Sequence, residues 1–173
     1  MSETADEFES AVQAIAEAKV TREDVESMLR TFGQRVGGQD LNLDEHGTCR
    51  FVDSDERQVI LVYRPPFPGV TLFSPVIDDE VIPRPMLIGL LSANASWEST
   101  AGGTFSMPDP GASVMFSRRI PLLGTDPNLL HKAVEEFCAL TERWETELYF
   151  YLDAYEPETA EQAPTTIPPM AQV

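Results

Sequence analysis

The sequence predicts an α+β domain, with helices packed on a twisted antiparallel sheet in the order α-βββ-α-ββ-α. Three observations lead there. Residues 21–36 and 126–155 carry apolar side chains at helical spacing. The stretches between them break into short runs of β-branched and aromatic residues separated by turn formers. Between the third and fourth of those runs lies a short, largely apolar helical segment.

Taken in chain order, Thr21 is a helix N-cap, with Glu23 and Asp24 in the first turn. Val25, Met28, Leu29, Phe32 and Val36 form one stripe, and Gly37-Gly38 stop the helix. Strands are expected near Thr48–Val52, Gln58–Arg64 and Val70–Val76, and connections this short imply an antiparallel meander. Arg84–Ala95 reads as a short helix opened by Pro85 at its first position, and Met86, Leu87, Ile88, Leu90 and Leu91 face nearly every direction. Thr104–Met107 and Ser113–Arg119 read as a hairpin turned by Pro-Asp-Pro-Gly-Ala. Asp126 and Pro127 open the longest helix, whose stripe is Leu130, Val134, Phe137, Trp144, Leu148 and Tyr151, interrupted by Thr141.

At 173 residues the chain suits one domain with loose ends, and two full domains would be cramped. Residues 1–20 are an acidic N-terminal arm or an extra helix, with Phe8, Val12 and Ile15 at helical spacing and Thr4 with Glu7 resembling a capping box. Residues 21–155 are the domain itself. Residues 156–173, rich in proline, threonine and acid with little to bury, are a disordered tail.

The formal net charge of -17 repels phosphate backbones and anionic lipid, which argues against nucleic acid and membrane as partners. The start lacks a basic stretch followed by an apolar one, and no long apolar run follows elsewhere, so a cytoplasmic protein is expected. Cys49 and Cys138 are too few for a disulfide scaffold and lack metal-ligand spacing, so they read as reduced packing thiols.

Chemistry finds little footing. His46 lies in the turn Asp44-Glu45-His46-Gly47, and His131 in the first turns of the last helix. Asp53-Ser54-Asp55-Glu56 begins like a calcium loop but lacks its central glycine and closing glutamate. Asp78-Asp79-Glu80 reads as a charged loop, and the glycine pairs lack the spacing of a phosphate-binding loop. No catalytic residue, metal site or cofactor is therefore assigned.

The strands say more. Val59, Ile60, Leu61, Val62 and Tyr63 are consecutively apolar, and Val70, Leu72, Phe73, Val76 and Ile77 occupy both faces. One face suits the first and last helices, and the other needs a subunit, a ligand or a partner chain. The partner-binding candidates on this reasoning are Phe32, Phe51, Leu61, Tyr63, Leu72 and Phe73, some of which must be core instead. The candidates for a two-fold interface are Leu87, Leu90, Leu91, Phe105 and Met115.

Several stretches resemble type III secretion chaperones of the Tir-chaperone (CesT)-like family, class I. Leu41-Asn42-Leu43-Asp44-Glu45-His46-Gly47 matches that family's LxLDExG, Leu90-Leu91-Ser92-Ala93-Asn94 its LLxxN, and GTFSMPDPGASVMFSRRIPL its paired strands before the last helix. The resemblance spans about residues 21–150. It implies a secretion chaperone-like fold and a homodimer in the bacterial cytoplasm. It also implies binding of a secreted effector's N-terminal chaperone-binding segment, kept extended and delivered to the secretion apparatus without ATP. A secretion ATPase or a regulator is a further partner that the resemblance allows. The other reading, from a different class, is a small α+β ligand-binding protein or enzyme of unknown substrate, with its pocket between sheet and helices.

Overall fold

A computed structural model of the chain describes residues 20–78, 82–108, 113–122 and 127–154. The expectations for an N-terminal helix and a disordered tail lie outside these residues, as do Asp79, Glu80 and Asp126. The described elements are α1 (Arg22–Arg35), β1 (Thr48–Val52), β2 (Gln58–Tyr63), β3 (Gly69–Ile77), α2 (Arg84–Ala95), β4 (Gly103–Ser106), β5 (Val114–Pro121) and α3 (Pro127–Ala154). Their order is the expected one, and each boundary falls within two residues of its expectation.

α1 begins where its sequence says it should. The Thr21 hydroxyl accepts from the Asp24 backbone N–H, while the Asp24 carboxylate accepts from the Thr21 N–H at 2.9 Å and its hydroxyl at 2.7 Å. These bonds, led by the one from the Thr21 side chain, hold the Asp24 carboxyl below the usual carboxylate range. A depressed folded pKa stabilises the fold above the unfolded value, and that gain is lost as pH falls through the folded value. Thr21→Ala should cost about 1 kcal/mol. Urea titrations at neutral pH and below the folded Asp24 pKa check both points, since the difference between wild type and variant should shrink in acid. The helix ends one residue earlier than the stripe suggested, with the N–H of C-cap Val36 bonded to the Phe32 carbonyl.

The five strands form one antiparallel sheet in the order β1-β2-β3-β5-β4. The meander is therefore continuous, and the second hairpin joins through β5, leaving β4 at the edge. Registers place Phe51 opposite Val59, Leu61 opposite Leu72, Ser74 opposite Phe116 and Phe105 opposite Phe116. Because side chains alternate, these residues share one face, and nearly all are buried there. The aromatic contacts continue into the helices, with Phe32 edge-on to Phe51 at 5.2 Å, Phe116 stacked on Phe137 at 5.9 Å, and Phe105 edge-on to Trp144 at 4.9 Å. α1 and α3 thus cover the Phe51–Leu61–Leu72–Phe116 face. Thr141, which interrupted the α3 stripe, is buried with its hydroxyl donating to the Phe137 carbonyl at 2.8 Å, so its polarity is satisfied within the helix.

The turn before β1 is built by chemistry already visible in its residues. The Asp44 carboxylate accepts from the backbone N–H of His46 and Thr48, and its pKa is lowered chiefly by the Thr48 bond. Gly47 has φ +70, and a Cβ there would lie 2.7 Å from the Tyr63 carbonyl oxygen. Arg22 then ties α1 to this turn by donating to the carbonyls of Leu43 and Asp44.

Candidate partner-binding surfaces

Three surfaces of the described residues bear on partner binding. The first is the open face of the sheet. Its residues alternate with the buried ones, so Ile60 opposite Phe73 and Val62 opposite Thr71 lie side by side there, with Arg50 and Arg119 at the ends of these rows. Ile60, Val62, Phe73 and Met115 are half-buried, Val52 is 50 % exposed, and no described helix lies over them. Arg119 stands over the Phe67 ring at 5.6 Å, at the end of the sheet where the Pro65–Pro66 bond is cis.

The second surface is a cleft of about 600 Å³ between the end of α1, the β1–β2 hairpin and α3, lined by Phe32, Arg35, Phe51, Asp53, His131 and Cys138 among others. Its charged groups are largely committed. Arg57 bonds Asp53 at 2.9 Å and Glu145 at 3.3 Å, joining the hairpin to α3, and Asp53 also accepts from the backbone N–H of Asp55 and Arg57. The run that began like a calcium loop is therefore a turn closed on its own arginine. His131 packs on Phe32 and sits 3.4 Å from Glu135, and its Nδ1 is buried without a partner among the described residues. Burial, with Asp53 nearby, pushes the Cys138 thiol up to about 12, and burial also raises that of Cys49. Both thiols stay protonated at neutral pH, which suits packing and not nucleophilic work. The other histidine, His46, is exposed beside Glu45.

The third surface is an apolar groove along α2. Leu87, Leu90, Leu91, Asn94, Phe105, Met107 and Val114 line it. Leu90 and Phe105 are its buried floor, Leu87 is half-buried, and Leu91 and Ile88 stand out at 69 % and 54 % exposed. Asn94 accepts from the Phe105 N–H at 2.7 Å and donates to the Phe105 carbonyl at 3.0 Å, so α2 is held along the outer edge of β4.

The structure sorts the residues proposed from sequence. Leu87, Leu90, Leu91 and Phe105 come together in the α2 groove, whereas Met115 lies on the open sheet face, opposite Ser106 of β4. Of the partner-binding candidates, Phe73 is on the open face, and Phe32 and Phe51 line the cleft although each is nearly buried. Tyr63 is mostly buried, its hydroxyl donating to the Val20 carbonyl at 2.8 Å. Leu61 and Leu72 have no exposed surface at all, because they occupy the row beneath the helices, and they are core. Sequence reasoning missed Ile60 and Val62 as open-face residues, and Ile88 and Trp97 as exposed apolar ones. For Ile60 and Val62 the signal was present, since polar Thr48 and Arg50 mark the outward side of β1 and a short hairpin carries that side to alternate residues of β2.

A model of the Tir chaperone protein (CesT) family matches residues 27–145. No curated protein matches the chain by sequence. Among solved structures, a chain of the ExsC–ExsE complex superimposes with a TM-score of 0.65 at 20% identity, covering 73% of this chain and 95% of its own. A chain of the HopA1–SchA chaperone–effector complex gives 0.56 at 17% identity, covering 75% and 97%. The Yersinia pestis type III secretion chaperone SycH, solved with a stable fragment of YscM2, gives 0.50 at 12% identity, covering 69% and 98%. At such identities the superpositions show a shared fold. The family match spans most of the described elements, from within α1 into α3, and on it the chain belongs to the Tir chaperone protein (CesT) family.

Proposed function

We propose that this chain is a type III secretion chaperone. It binds the N-terminal chaperone-binding segment of an effector, keeps it secretion-competent and delivers it to the apparatus without ATP. Family membership supports this, as does the fact that the solved structures sharing its fold include a chaperone–effector complex. The observation that carries the reading is the sheet itself: one face is filled by α1 and α3, and the other keeps Ile60, Val62 and Phe73 within reach of a partner. Its groups offer surface and not chemistry, since the carboxylate and arginine of the hairpin are paired and the thiols are held protonated. No described helix is long and apolar enough to cross a membrane, and bacterial cytoplasm is the location we assign. The folded unit is taken as residues 21–155, flanked by the arm and the tail.

The α2 groove is assigned to a second copy of the chain. Six of its lining residues are apolar side chains on or beside a helix that leaves Leu91 and Ile88 in water, and a two-fold contact would bury each of them twice.

Co-expression with the protein encoded beside it, followed by isothermal calorimetry, tests the client-binding role. Phe73→Asp should weaken binding at least about tenfold, as removal of an interface anchor does, with a much smaller fall in melting temperature than the fully buried Leu61 would show. Leu61→Asp should lose folding and binding together, because it buries an unpaired charge. A client that binds Phe73→Asp as tightly as wild type would move the site off the open face. A requirement for nucleotide would overturn the ATP-free mechanism. The cleft beside His131 is where a ligand-binding protein would hold a small molecule, and saturable binding of a metabolite there, with no secreted client found, would replace the chaperone reading.

A further inference from the structure

We propose that the hollow between Arg64 and Arg119 takes a carboxylate side chain of the client's segment and so fixes the register in which that segment lies on the open face. The proposal deepens the client-binding reading and rests on it. It begins with charge. Acidic residues outnumber basic ones 29 to 12, yet the five strands hold no aspartate or glutamate. Two arginines that reach toward the helices are paired, Arg57 with Asp53 and Glu145, and Arg118 with Glu136. Arg64 and Arg119 are exposed and have no such carboxylate partner among the described residues. Arg119 rests on the Phe67 ring at 5.6 Å, and Arg64 donates to the Tyr63 carbonyl at 3.2 Å, so most of each fork of N–H donors stays open to a ligand. Glu45 borders a second hollow that Arg64 shares, but it sits 3.4 Å from His46 and forms no ion pair with Arg64.

The two guanidinium groups line a hollow of about 430 Å³ together with Pro66, Phe67 and Thr71. Backbone bonds fix its wall. The Phe67 N–H donates to the Arg64 carbonyl at 3.2 Å, the Gly69 N–H to the Phe67 carbonyl at 2.9 Å and the Leu122 N–H to the Pro68 carbonyl at 3.0 Å, which ties the β2–β3 turn to the ends of β2 and β5. The hollow continues the open face. Thr71 stands opposite Val62 on one side and Arg119 on the other, and the next outward row sets Ile60 opposite Phe73. Outward rows repeat every second residue, about 7 Å along a strand. An extended segment that runs along β2 and β3 with an apolar side chain on Ile60 and Phe73 therefore brings its second or fourth neighbour to the hollow. Apolar contact is non-directional and lets such a segment slide. A carboxylate between two guanidinium groups does not slide, because their planar forks bind it in a preferred geometry, and a lysine or arginine in the same place meets like charge.

Nuclear magnetic resonance on the full-length, nitrogen-labelled chain tests this with two capped pentapeptides. One has a central phenylalanine, a threonine on each side and an aspartate at each end, so that a carboxylate lies two residues from the ring in either direction; the other carries asparagines in place of the aspartates. The titrations are run at about 0.1 M salt, where charges more than about 10 Å away are largely screened. The acidic peptide should bind about three- to tenfold more tightly than the amide, the modest gain of exposed ion pairs, and should shift the side-chain Nε–H resonances of Arg64 and Arg119. The preference should vanish in Arg64→Gln/Arg119→Gln. Equal affinities, or no saturable shift with either peptide at millimolar concentration, would overturn the proposal. So would a preference that survives in the double variant with a wild-type melting curve. Acetate that moves both arginines as far as the acidic peptide does would make the hollow a general anion site and remove the register. These readouts need no client. If Phe73→Asp leaves client binding unchanged, the open-face reading and the proposal fall together; if the two peptides bind alike, the proposal falls and that reading stands.

Discussion

Replacing Phe116 by alanine should destabilise the fold by about 3–5 kcal/mol, the range for deleting a fully buried aromatic ring. That is a large share of the roughly 5–15 kcal/mol that holds a domain together. Phe116 has no exposed surface, stacks on Phe137, and meets Phe105 at 4.9 Å, so its ring joins the sheet to α3. A domain of this size loses about 2–4 °C per kcal/mol, and a fall of about 10 °C or more in melting temperature is expected. Gly103 gives the result a second reading. A Cβ at that position would run into the Phe116 ring, so Gly103→Ala should be costly in the wild type and much less so beside Phe116→Ala. If the two losses simply add in denaturant titrations, the ring does not depend on the glycine and this account of the packing fails.

Leu91→Glu should turn a dimer into a folded monomer. Wild-type protein is expected to scatter light as two chains of 19.2 kDa each, and the variant as one. Burying a leucine is worth about 1.5–3 kcal/mol, and a two-fold axis counts it twice, so dissociation should become easier by at least about 100-fold. The position makes a clean probe, because in the single chain it is 69 % exposed and a carboxylate there meets water. Leu90→Glu, one residue away and buried, should cost the fold as well and serves as the contrast. Wild-type protein that is monomeric at micromolar concentration would sink the assignment of the α2 groove to a second copy.

How much of this could be read in the sequence depends on the range of the physics. Thr21 with Asp24, and Asp44 with Gly47, act over a few residues, so the start of α1 and the turn into β1 were legible as written. The apolar run Val59–Tyr63 was not, because the residues of a strand do not say which of two apolar faces the helices will take. That choice is made by pairing. The hairpin at Asp53–Arg57 places Arg50 opposite Ile60, and it is the polar side of β1 that sends Ile60 outward and Leu61 in. Leu61 and Leu72 therefore looked like contact residues until their partners were known. Met115 was grouped with the α2 residues because it is near them in the chain, yet strand alternation turns it to the other face. The cleft could not be foreseen at all, since it is a gap left where three distant elements meet.

The bonds made by Asn94 have a consequence for assembly. At β4 three outward backbone groups are already used: the Phe105 N–H and carbonyl by Asn94, and the Gly103 N–H by Thr100. At β1, Thr48 is closed by Asp44, but the backbone of Arg50 and Val52 on the same outward side faces no described element. A sheet with two free borders can accept a neighbour on each and so grow into a fibre. With one border sealed, growth by strand pairing stops after a single addition. A strand arriving at β1, from a client or from another copy, ends the series it begins, and the protein can lend its sheet to a guest without becoming a template for itself.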